Sequence, residues 1–162
     1  MKTIYLAGGC FWGMQKFIDD IEGVLSTEVG YANGPDRAPT YKDVCASSGH
    51  AETVKIEYDE NVLSLKKLLK YYFFVIDPLS VNKQGEDEGV QYRTGVYYTE
   101  DSQISEIQEV FEEERKKLKQ ELAVELKPLV NFFSAEEYHQ KYLEKNPGGY
   151  CHIKVKSSEI NI

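Results

Sequence analysis

The sequence has no Cys-x-x-Cys pair and only three cysteines, Cys10, Cys45 and Cys151, widely spaced and odd in number. That pattern argues against a disulfide scaffold and supplies no four-ligand zinc set. What is left is structural thiols or thiol chemistry. Long apolar runs are missing as well: none approaches the ~18–20 residues of a membrane span. The opening, Met1 to Gly9, is too short an apolar stretch for a signal peptide. The expected location is the cytoplasm, with no membrane partner. Basic residues are outnumbered 19 to 27, for a net charge of −8. Affinity for nucleic acid rests largely on Lys and Arg, so nucleic acid is not an expected partner. The Walker lysine and the dinucleotide glycine spacing are absent, and no period of ~20–50 residues marks a repeat protein.

What is present suits one domain over residues 1–162, with 41% apolar and 28% charged residues. Phe11, Met14, Phe17, Ile18 and Ile21 form a helical stripe closed by Gly23. Val24–Tyr31 reads as a strand with Leu25, Thr27, Val29 and Tyr31 on one face. A turn-rich connection covers 32–49, and connections of that length are often functional. A strand follows over 50–58, then a helix over 65–76 with Ser64 as N-cap. A second irregular stretch, 77–92, precedes a strand at Val96 and Tyr98 and a long charged helix over 102–122. Residues 126–132 read as one strand, which Pro128 places at an edge or a start. Ser134-Ala135-Glu136-Glu137 reads as a capping box opening a last helix. The tail, about 153–162, is expected to be flexible. The order predicts a mixed sheet with helices packed on it, a two-layer α/β sandwich.

Four places could carry chemistry. Cys10 falls between a strand and a helix, where unpaired N–H groups and the helix dipole lower a thiol pKa; the alternative is a small buried thiol. Phe11 fits the apolar stripe, whereas Trp12 lies off it and could wall a small apolar group such as a methyl. Glu52 alternates in phase with Val54, Ile56 and Tyr58, so it points to the apolar side, while Ala51, Thr53, Lys55 and Glu57 form the wetter face. A carboxyl there is favoured in its neutral form and could donate a proton; alternatively, fraying at the strand start lets it reach water. The polar, glycine-rich 84–93 segment offers Asp87 and Tyr92, and the first long loop offers Tyr41. Cys151, on the Gly148-Gly149 tail, suits a mobile resolving thiol. His139 is expected to be structural or exposed. Cys10, His50 and Glu52 can also be drawn as a hydrolase triad.

The ordered set Gly9-Cys10-Phe11-Trp12-Gly13, Tyr41-Lys42-Asp43-Val44-Cys45, Gly49-His50-Ala51-Glu52, Gln84-Gly85, Gln91-Tyr92-Arg93, Tyr138-His139 and Asn146-Pro147 resembles the peptide methionine sulfoxide reductase A family. The resemblance implies a sandwich like the ferredoxin plait and reduction of the S epimer of methionine sulfoxide, free or in proteins. It implies Cys10 as attacking thiolate and Glu52 as acid, with Tyr41 and Tyr92 as hydroxyl donors and Asp87 as support. Phe11 and Trp12 would hold the S-methyl, and Gly49 and His50 would also contact substrate. Cys151 would be the resolving cysteine, with thioredoxin or another dithiol as electron donor. No metal or organic cofactor is required, and the chain would act as a monomer in protein repair under oxidative stress. Cys45 is read as a structural thiol, with a surrogate resolving role as the alternative.

Overall fold

Ile4 and Leu6, two apart, turn one face of the strand Lys2–Ala7 (β1) into a dry core. The chain is seen in a computed structural model describing residues 1–162. Helix α1 (Phe11–Asp19) lays its apolar stripe on that face. Strands β2 (Val24–Ala32) and β3 (Ala51–Tyr58) follow, separated by a short helix α2 (Tyr41–Cys45) inside the first long connection. Helix α3 (Leu65–Val75) begins at Ser64, whose hydroxyl accepts from the Lys67 N–H at 3.1 Å. The second irregular stretch holds a small hairpin, β4 (Lys83–Gln84) and β5 (Asp87–Glu88), and a single turn at Val90–Tyr92. Strand β6 (Gly95–Tyr98), helix α4 (Ile104–Leu118), strands β7 (Glu125–Pro128) and β8 (Phe132–Ser134) and helix α5 (Tyr142–Lys145) complete the α+β fold.

Six strands form one sheet in the order β7-β6-β1-β3-β2-β8, antiparallel except for the β6–β7 pair. Helices α1, α3 and α4 supply Phe11, Met14, Leu68, Tyr72, Val110 and Phe111 to the main core on one face. The opposite face carries a smaller core of Tyr5, Ala7, Ala32, Ala51 and Tyr97, covered by Leu129 and Phe132.

That second core explains one departure from the sequence pattern. Ala51 and Thr53 lie on the face expected to be wet, yet both are fully buried; only Lys55 and Glu57 keep partial exposure. Leu25 is exposed rather than in phase with Val29, because the register slips between Val24 and Ser26. The single strand expected over 126–132 is two strands on opposite edges of the sheet. Only Leu129–Asn131 separate them. Such a link spans at most ~14 Å, whereas six flat strands would spread over about 24 Å. The sheet therefore curls until its edges approach. Asn33 ties the crossing segment down, donating to the Pro128 carbonyl and accepting from the Val130 N–H.

The capping box expected at Ser134 is not formed. Ser134 ends β8 and donates to Glu28, and a single turn at Glu137–His139 follows. The charged helix stops at Lys119, which adopts a left-handed conformation, short of residue 122. The tail expected to be flexible is packed: Ile160 joins the main core, and Ile153 and Val155 rest against it.

Candidate active site

Gly9, at φ +79, reverses the chain between β1 and α1 and sets Cys10 at the helix N-cap. Cys10 is buried and faces the N–H groups of Trp12 and Gly13, without a hydrogen bond of good geometry. Those groups favour a thiolate. Burial opposes it more strongly, Glu52 adds to the opposition, and Cys10 is pushed well above the usual thiol range. The depressed pKa expected from the helix terminus is thus corrected: alone, Cys10 is a thiol.

Glu52 lies on β3 opposite Tyr31 of β2, and its side chain is 1% exposed. The alternation of β3 therefore does turn a carboxyl into the core. Its Oε1 accepts the Phe11 N–H at 3.1 Å, whereas its Oε2 is buried with no partner. Burial raises its pKa to about 8; the Phe11 N–H opposes this and Asp87 adds to it. Near neutral pH the group is an undissociated acid, with Oε2 the oxygen left to carry the proton. This also removes its charge from beside Cys10.

Tyr41 opens α2, held by a capping box in which Thr40 and Asp43 exchange hydrogen bonds of 3.1 and 2.9 Å. Its N–H donates to Glu136 Oε2 at 2.8 Å, and Glu136 Oε1 accepts from the buried Tyr31 hydroxyl at 2.8 Å. Tyr92 closes the turn that follows Gly89, at φ +148. Burial, reinforced by Glu52, lifts both the Tyr41 and Tyr92 hydroxyls far above their ordinary range, so they stay protonated as donors. Asp87, on the β4–β5 hairpin, accepts from the Tyr150 hydroxyl at 3.0 Å.

Phe11 packs on Tyr31 and His139 with ring centroids 5.7 and 5.2 Å apart. Trp12 stacks on Tyr142 at 3.8 Å and donates its indole N–H to His139 Nδ1 at 2.9 Å. With Nδ1 accepting, the neutral His139 ring carries its proton on Nε2. Trp12 and Tyr142 also line a groove of about 450 Å³ that reaches Pro147. Cys151 is half-buried and free, its Sγ 3.1 Å from the Ile153 carbonyl oxygen.

Two assignments change. His50 is buried, with Nδ1 2.8 Å from Ser48 Oγ and Nε2 2.9 Å from the Pro35 carbonyl. Both ring nitrogens are occupied by the loop, which leaves the Cys10–His50–Glu52 triad no free base. Gly49, at φ +104, shapes that same loop. Cys45, read as a structural thiol, is free and exposed on α2 beside the Tyr41 hydroxyl. Sequence reasoning also underrated His139, which is fully buried among Phe11, Trp12 and Tyr41, and missed Glu136. The available signal was two hydrogen-bonding side chains three apart in a short segment.

The family model described as peptide methionine sulfoxide reductase matches residues 2–162. Peptide methionine sulfoxide reductase MsrA of Lachnoclostridium phytofermentans is 58% identical over 153 residues, 94% of this chain and 92% of that protein. The crystal structure of Mxr1 from Saccharomyces cerevisiae in reduced form superposes with a TM-score of 0.90 at 35% identity, over 96% of this chain and 92% of that one. Mxr1 in complex with Trx2 matches at TM-score 0.64 and 23% identity, over 96% and 90% of the two chains, a likeness of fold. By the full-length family match and the identity to MsrA, this chain belongs to the peptide methionine sulfoxide reductase A family.

Proposed function

We propose that the chain reduces methionine S-oxide to methionine, acting on the S epimer through Cys10 and Glu52. The observation that carries this reading is Glu52: a buried, undissociated acid beside a cysteine, with one oxygen lacking any partner. A sulfoxide oxygen is a poor leaving group until protonated, and Oε2 is the atom with a proton to give. Glu52 protonates that oxygen, with the Tyr41 and Tyr92 hydroxyls donating to it and Asp87 supporting the site. Cys10 passes its proton to the Glu52 carboxylate as its sulfur attacks. The substrate S–O bond breaks, its protonated oxygen forms a new S–O bond to the Cys10 sulfur, and methionine leaves with Cys10 as a sulfenic acid. Phe11 and Trp12 wall the S-methyl, and the groove beyond Trp12 gives a polypeptide room to continue.

Cys151 then closes a disulfide with Cys10 and releases water. A dithiol of the thioredoxin type reduces that disulfide, as the complex of Mxr1 with Trx2 suggests by analogy. No metal or organic cofactor enters these steps. The order β6-β1-β3-β2, with α1 and α3 as crossovers, supports a ferredoxin-like plait at the heart of one catalytic domain. Unpaired thiols accord with a reducing, cytoplasmic setting and with repair of oxidised proteins.

The test is intact mass after one exposure of the reduced protein to an S-epimer methionine sulfoxide peptide. Loss of one oxygen from the peptide and two hydrogens from the protein, with a Cys10–Cys151 link in the digest, is expected. An unchanged peptide with a fully reduced protein would refute the reading.

A further inference from the structure

Gly13 gathers three groups. Cys10 faces its N–H, and a Cβ at Gly13 would lie 3.1 Å from Cys151 Sγ and 3.1 Å from His152 Nδ1. The last two atoms are therefore no more than ~6 Å apart. The other ring nitrogen, His152 Nε2, lies 3.0 Å from where a Gly9 Cβ would stand. The imidazole thus spans the two glycines that bracket Cys10, and a side chain at either would displace it. Both ring nitrogens are buried and neither has a hydrogen-bond partner. A buried imidazole with no partner is costly unless it serves a purpose, and the steps above make no use of it.

We propose that His152 is the proton carrier for closure of the Cys10–Cys151 disulfide, a role that rests on the functional reading above. Cys151 gives its thiol proton to His152 as its sulfur attacks the Cys10 sulfenic acid. The S–S bond forms, the Cys10 S–O bond breaks, and His152 returns the proton to the departing hydroxide as water. Atoms and electrons balance without any further reagent. Burial holds His152 below the usual imidazole range, so the ring is neutral and able to accept. Asp87 on the hairpin works against that shift, as does the Gly8 carbonyl, which lies near the ring without meeting either nitrogen in good geometry; Lys154 works with it. Cys10 lies on the α1 side, and Tyr150, Cys151 and Lys154 are the titratable groups on the ring's own segment.

The experiment is rapid quench of the reduced protein with one equivalent of methionine sulfoxide peptide, across pH. Methionine released reports sulfenic acid formed, and trapped thiols report disulfide closure in the same sample. His152→Gln and His152→Asn should close the disulfide about 10²-fold more slowly than wild type. They should also lose the wild-type fall in closure rate at acid pH, where an imidazole base is protonated. Wild-type closure rates would overturn the proposal. So would slow closure that keeps the wild-type pH profile, since that marks a packing role alone. Failure of the underlying reading looks different: the wild-type protein itself would form no Cys10–Cys151 link.

Discussion

Keeping Glu52 undissociated has a cost that can be measured without substrate. Its ordinary pKa of 4.5 rises to about 8 in the fold. The folded state then binds the proton more tightly than the unfolded chain between those two values, so stability falls as pH rises through that window. Below 4.5 both states hold the proton and there is no penalty; above 8 both have lost it and the penalty is complete. The slope is about 1.4 kcal/mol per pH unit, so near pH 7 the carboxyl costs about 3 kcal/mol. Glu52→Gln does not titrate. Its carbonyl can still accept the Phe11 N–H, but its amide inherits the unpartnered place of Oε2, at a cost of about 1 kcal/mol. The variant is therefore expected to be about 2 kcal/mol more stable than wild type near neutral pH while its methionine-forming burst slows by 10²-fold or more. Urea denaturation of both proteins at half-unit pH steps reads the first effect, and rapid-quench methionine release the second. Parallel stability curves across the window would refute the argument, since Glu52 would then titrate alike folded and unfolded.

Three further outcomes are expected. Cys151→Ser should release one equivalent of methionine per chain and then stop with thioredoxin as reductant; steady turnover would move the resolving role to Cys45 or to direct reduction of the sulfenic acid. Trp12→Phe keeps an aromatic wall but strands His139 Nδ1 without its donor. A loss of about 1–3 kcal/mol by urea denaturation is expected, and unchanged stability would mean that the indole N–H is dispensable. Ile160→Ala empties a core position close to the C-terminus. A loss of about 2 kcal/mol is expected, whereas an unaltered denaturation midpoint would mean that the tail does not hold to the core.

Periodicity made parts of this molecule legible. The stripes of α1 and α3 and the inward turn of Glu52 follow from spacings of 3.6 and 2, which depend on local backbone geometry alone. What the sequence did not disclose depends on distant chain. Ala51 and Thr53 read as the wet face until Phe132 and Leu129 arrive from eighty residues away to cover it. Residues 126–132 look like one strand because the break lies in which edge each half pairs with, not in their composition. Cys10 sits where a helix should ionise it, but the strength of burial and the nearness of Glu52 appear only in three dimensions. His50 carries the same side chain whether it faces a loop or a ligand.

The curl that brings the linked ends of the two outer strands near each other has a bearing on what this molecule must work among. Oxidised chains are often partly unfolded, and an open strand edge is a template on which such chains pair and aggregate. Here three residues join the end of one outer strand to the start of the other, with Pro128 withholding a donor and Asn33 occupying groups at the crossing. At that crossing, a protein that meets damaged polypeptides leaves fewer free backbone groups for them to pair with.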